Sequence, residues 1–132
     1  MRKLIRATTA ANILLGIYGL LGIFHLLVLA RVVPSDIVWG GRMGNAPADP
    51  ITLETIALAV TALFGVITAA KVDYIKVGNL KQAVGILVWL VFVYSLLNIA
   101  GNLASGSPVE KAVFTPVSVA VAVLLFRLAM EK

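Results

Sequence analysis

Four long apolar runs, at about 7–30, 50–70, 80–104 and 108–130, leave little of this 132-residue chain for anything else. A hydrocarbon core about 30 Å thick takes roughly 20 apolar residues as a helix. Helix is the form required, because backbone N–H and C=O groups find no water there and must pair within the segment. With 61% hydrophobic and 13% charged residues, the chain carries more apolar surface than one soluble domain can bury. The expected fold is therefore an all-α membrane protein: one antiparallel four-transmembrane-helix bundle over residues 1–132, with one long extracytoplasmic loop.

That loop is the polar, turn-rich stretch Val33-Pro34-Ser35-Asp36-Ile37-Val38-Trp39-Gly40-Gly41-Arg42-Met43-Gly44-Asn45. Gly40 and Gly41 tolerate the positive φ angles of a tight hairpin, and the expectation is a hairpin folded over the mouth of the bundle. The first run follows a basic lead, Arg2-Lys3-Leu4-Ile5-Arg6, and is too long for a signal-peptide core, so it reads as a retained span. Gly16, Gly19 and Gly22 are expected to let a neighbouring helix approach it, and Arg31 and Pro34 to end it.

Asp49-Pro50 opens the second span as cap and first helical residue. Steps of 100° per residue put Glu54, Leu58, Thr61, Gly65 and Thr68 in one stripe, which should meet the other helices. Gly78 supplies the next turn, with Asn79 and Gln82 spaced as a capping box. In the third span Ser95, Asn98, Asn102 and Ser105 share a face. A buried amide without a partner costs roughly 2–7 kcal/mol, so this face should meet protein or trapped water. Ser107-Pro108-Val109-Glu110 starts the fourth span as another capped turn. Pro116 should kink that span or free the carbonyl of Ala112.

Orientation follows from counting lysines and arginines. Arg2, Lys3, Arg6, Lys71, Lys76, Lys81, Arg127 and Lys132 lie at one end of the spans, and Arg31, Arg42 and Lys111 at the other. The richer end, with both termini, should be cytoplasmic. His25, Glu54, Asn98, Asn102 and Thr115 then fall in one layer, within roughly 10–12 Å of the outer end of the core at 1.5 Å per residue. The inner half is nearly all apolar. Seven residues form the candidate ligand-binding set: His25, Glu54, Asn98, Asn102 and Thr115 in the bilayer, with Trp39 and Arg42 as a roof.

Each of these also has a plainer role. Glu54 sits near a helix N-terminus, where the dipole favours a carboxylate, and could pair with Arg42 or Lys111 at the headgroups. His25 could make one structural hydrogen bond, and the asparagines could bridge helices. Trp39 could belong to an aromatic belt and Arg42 could touch phosphate.

No catalytic pattern stands out. A lone histidine in a chain without cysteine argues against a zinc site and against thiol chemistry. Ser35 or Ser105 with His25 and Glu54 lacks a nucleophile-elbow sequence. The glycines around Trp39 match no nucleotide-binding loop. No catalytic residue, metal site or cofactor is expected. The net charge of +5 lies at span ends, which points to membrane lipids rather than nucleic acid as partners.

Phe24-His25-Leu26-Leu27, Ile37-Val38-Trp39-Gly40-Gly41-Arg42, Leu97-Asn98-x-x-Gly101-Asn102-Leu103 and Phe114-Thr115-Pro116 together resemble a group of small four-span bacterial integral membrane proteins. The resemblance covers the whole chain, and its most distinctive part is the I-V-W-G-G-R loop. It implies a bacterial inner-membrane location and nothing about activity. Small multidrug transporters have a similar size and span number, but their pattern has an acid in the first span, where this chain has His25.

Two classes of function fit: a module that binds or moves a lipid, amphiphile or ion through an outer-leaflet polar cavity, and a structural or partner-binding protein with no ligand. An enzyme acting on lipid headgroups is a distant third. Self-association is left open. The charge count makes one direct prediction: cysteines introduced at Asn45 and Asn79 label from opposite sides of sealed membranes. Labelling from the same side would remove the depth assignment.

Overall fold

The computed structural model describes residues 4–38 and 49–132, and among these it is all-α. Four helices, α1 (Ala7–Leu29), α2 (Pro50–Lys71), α3 (Lys81–Ala104) and α4 (Thr115–Ala129), run alternately up and down. A single π turn, Glu110–Phe114, leads directly into α4. With that turn included, all four are long and apolar enough to cross a bilayer, as befits a multi-pass membrane protein. The bundle has a loop end, where α1 joins α2 and α3 joins α4, and a terminal end. The hairpin expected at Gly40 and Gly41 lies outside the described residues.

Local chemistry explains where the helices start and stop. Asp49 caps α2 as expected: its carboxylate accepts from the Thr52 backbone N–H at 3.0 Å and from the Thr52 hydroxyl. Those two bonds, the hydroxyl first, hold the Asp49 carboxyl below its ordinary range. Helices α1 and α2 both end in a left-handed residue without a glycine, Arg31 (φ 59°) and Asp73 (φ 62°). In each case the following N–H reaches back to a carbonyl near the helix end, Val32 to Leu27 at 2.9 Å and Tyr74 to Ala69 at 2.9 Å, and the next N–H, of Val33 or Ile75, shares that acceptor. Asp73 is further held by Lys81 at 2.8 Å.

The capping box expected at Asn79 and Gln82 does not form. Gly78–Leu80 is a 3₁₀ turn, and α3 starts after it from Leu80 with no side-chain cap. The turn satisfies its backbone through the Leu80 N–H to Val77 C=O bond, so Asn79 is left exposed.

Pro116 acts through the π turn. Lacking an N–H, it cannot complete an α-helical ladder, and the one-residue widening ahead of it absorbs the mismatch. The Thr115 hydroxyl donates to the Glu110 carbonyl, five residues back, at 3.2 Å.

Packing divides the bundle into two unlike halves. The hydrophobic core, built on Ala10, Ala11, Leu14, Tyr18, Ile67, Val88, Val91, Leu124, Leu125 and Leu128, lies toward the terminal end. Trp89 packs edge to face on Phe92 and on Phe126, and those two rings meet at a tilt. Contacts are most extensive within the pairs α1–α2 and α3–α4, and sparsest between α2 and α3.

Two expectations for this half need correction. Gly16 and Gly19 face open space instead of a neighbouring helix, and only Gly22 comes near α2, with Leu58 about 3.9 Å from where its Cβ would be. Arg127 does not point to headgroups. It is 4% exposed, donates from Nε to the Ile5 carbonyl at 2.7 Å and pairs with Glu131 at 2.8 Å, so it ties the N-terminal segment to α4.

Candidate functional site

The loop half of the bundle holds a half-open chamber of about 420 Å³ with walls from all four helices. That volume lies within the roughly 300–1,000 Å³ typical of small-ligand pockets. Its floor is the top of the core, at Tyr18, Val91, Val121 and Leu125. Its roof includes Val38, which is buried, and the Ser107 hydroxyl fastens this roof by donating to the neighbouring Ile37 carbonyl.

Five of the polar side chains that line the chamber have direct partners across helices, in two groups. On the α1–α2 side, His25 Nδ1 and Glu54 Oε2 are 2.7 Å apart. Glu54 is 1% exposed, one turn into α2, and an unpaired charge at such a place would cost several kcal/mol. The short contact to His25 and the N-terminal end of the α2 dipole are what make this position tolerable. Glu54 is thus buried within the bundle, and the alternative partner Arg42 lies outside the described residues. Since Nδ1 is occupied by Glu54, only Nε2 of His25 is available to anything else.

On the α3–α4 side, Asn98 and Asn102 stand one helical turn apart and both donate from Nδ2 to the Ser118 hydroxyl, at 3.2 and 3.0 Å. Asn102 is buried, while Asn98 remains exposed. Ser95, a turn below, is satisfied by the Phe92 carbonyl at 2.6 Å. Glu110 also lines the chamber, and its carboxylate accepts from the Ser105 hydroxyl. Aromatic rings complete the wall: Phe24 packs edge to face on Phe114 at 5.1 Å, and Phe64 on Tyr94 at 5.3 Å.

Glu54 has a second position of interest. A further cavity near the loop end is bounded by Arg31, Ser35, Asp36 and Asp49, and Glu54 is the one described side chain that borders both cavities.

Of the seven residues expected from sequence, four line the chamber: His25, Glu54, Asn98 and Asn102. Thr115 does not. Its hydroxyl is spent on the Glu110 carbonyl, because the π turn rotates the helix register so that Phe114, Val117 and Ser118 face inward instead. Trp39 and Arg42 lie outside the described residues. Sequence reasoning missed Ser118 and Glu110. Serine in an apolar helix carries little signal by itself, and Glu110 was accounted for as part of a helix cap.

The arrangement defines a class: a multi-pass helical membrane protein with a ligand-sized, largely apolar chamber whose polar side chains gather toward the loop end. Among the described residues no cluster of three or more potential metal ligands occurs. Comparison of the chain with known protein families, with curated proteins and with solved structures finds no match.

Ser118 is the residue whose loss should be felt most for its size. Ser118→Ala leaves two amide donors without their acceptor, so unfolding in mixed micelles should show a loss of about 1–3 kcal/mol. A change within about 0.5 kcal/mol, the range of an ordinary surface substitution, would mean that the asparagines have other partners.

Proposed function

We propose that this protein binds, or moves, a lipid, amphiphile or ion through the polar chamber, which would lie in the outer leaflet of a bacterial inner membrane with both termini in the cytoplasm. The observation that carries this reading is the chamber itself. Its volume suits a small ligand, and polar side chains from α1, α2, α3 and α4 border it at one depth. Helix cohesion alone does not call for a void, since empty volume forfeits packing contacts. In a bilayer, where lipid tails are as apolar as leucine, those contacts are a main source of helix association. The position of Glu54 between two cavities favours passage over mere storage.

One observation favours the structural alternative. Asn98 and Asn102 both donate to Ser118, the pattern of interhelical glue. The two readings differ in what the protein retains on purification. Delipidated protein, incubated with a total membrane lipid extract and examined by native mass spectrometry, is expected to hold a bound amphiphile. A folded His25→Ala, Asn98→Ala double variant is expected to hold about tenfold less, equivalent to about 1.4 kcal/mol of binding. Equal retention by both, or none by either, would favour the structural protein.

A further inference from the structure

The chamber's hydrogen-bonding character narrows the class of its occupant. Both asparagine amides turn Nδ2 to one serine hydroxyl. A hydroxyl has a single proton, so it can donate to at most one amide. At least one asparagine must therefore present its NH₂ to Ser118 and its carbonyl oxygen elsewhere. As the side chains stand, both do, and neither carbonyl oxygen makes a hydrogen bond to another described residue. Unpaired acceptors at this depth in a bilayer are costly, and what relieves them is a donor.

Charge points the same way. The lining includes two acidic side chains, Glu54 and Glu110, and one basic one among the described residues, His25, which faces Glu54. Each carboxylate has partners, so neither is itself the vacant acceptor. Two acidic groups against one histidine disfavour a carboxylate or phosphate head. Below the amides the walls are mainly apolar and aromatic, from Leu21, Phe64, Val91, Tyr94 and Val121. The Thr61 and Ser95 hydroxyls turn to backbone carbonyls, and the Tyr18 hydroxyl is the one buried polar group there without a partner among the described residues. A hydrocarbon tail fits most of this wall.

Access is set by the weakest seam of the bundle. Helices α2 and α3 make the sparsest contact of the four neighbouring pairs. Both lend the chamber residues that are also exposed: Ile56 from α2, and Tyr94, Asn98 and Gly101 from α3. On an intramembrane flank, exposure means exposure to lipid. Phe64 against Tyr94 closes the seam toward the terminal end, which leaves the level of Asn98 and Gly101 as the gap.

We infer that the chamber takes a single-chain amphiphile whose head donates hydrogen bonds and carries no negative charge, a hydroxyl or an ammonium, received sideways from the bilayer between α2 and α3 with its head on the carbonyls of Asn98 and Asn102. This rests on the chamber being a ligand site at all, and the test separates the two claims.

The test is a matched series, 1-decanol, decylammonium and decanoate, added at equal mole fraction to the protein in phosphatidylcholine nanodiscs, with thermal stability as the readout. The blocking variant is Gly101→Leu. A Cβ at Gly101 would have nothing within 4 Å, so a substitution there starts without a clash at the level of the gap, and leucine also suits a helix better than glycine. Its stability without probe should equal or exceed that of wild type.

The expected result is that decanol, decylammonium or both raise the melting temperature of wild type at about tenfold lower mole fraction than decanoate, and that Gly101→Leu abolishes the difference. The contrast between decanol and decylammonium then assigns the head as hydroxyl or ammonium. Decanoate acting as well as or better than the others would overturn the donor-head assignment and leave the chamber as a ligand site. Undiminished stabilisation in Gly101→Leu would overturn the lateral route. No effect of any probe would overturn the inference outright, and the lipid-retention experiment then decides whether the chamber binds anything.

Discussion

The contact between His25 and Glu54 is the constraint around which the loop half of this bundle is arranged. A carboxyl group that is 1% exposed at bilayer depth has to be met by protein, and the partner that meets it comes from the neighbouring helix. This fixes the rotation of α1 and α2 about their axes, since a turn of one residue would carry either side chain about 100° away. With α1 and α2 locked through His25 and Glu54, and α3 and α4 locked through Asn98, Asn102 and Ser118, the bundle is two hairpins, each with its own polar clasp. The clasps face one another across a space that neither fills.

The contrast with the terminal half is one of packing. There, Leu14, Val88, Leu125 and Leu128 are wholly or almost wholly buried and interdigitate as a core, and Arg127 is satisfied by the Ile5 carbonyl and Glu131. The close-packed half can hold the hairpins together while the other half stays open, because contacts at one end of antiparallel helices orient them along their whole length. The π turn serves the same end. It lets α4 pass Pro116 without losing its course, and it turns Phe114 and Ser118 toward the chamber in place of Thr115.

Much of this could be read in the sequence, and the reasons are physical. The bilayer's demand for internally paired backbone makes spans legible from apolar run length alone. Asp49 before Pro50 marks the start of α2 because cap chemistry is local. The shared depth of His25, Glu54, Asn98 and Asn102 was legible because helical rise is constant. What could not be read depends on tertiary detail. Ser118 looks like any small residue until two amides converge on it. The displacement of Thr115 follows from a π turn, which breaks the 100° step on which a face assignment relies. Gly16 and Gly19 suggested close packing, yet a glycine records only that a backbone may be approached, and here nothing approaches. Asn79 and Gln82 have the right spacing for a capping box, but the backbone of the 3₁₀ turn provides for itself. Arg127 counted as a surface charge by position and proved to be buried by geometry.

The central claim is that His25 and Glu54 hold the two helices of the first hairpin in register, and a double-mutant cycle tests it most directly. Unfolding free energies of wild type, His25→Ala, Glu54→Ala and the double variant, measured in the same mixed micelles, give the coupling between the two side chains. The account predicts a favourable coupling of about 1–3 kcal/mol, with the second substitution costing little once the first is made. Additivity within about 0.5 kcal/mol would show that the two residues do not depend on one another, and would contradict the account.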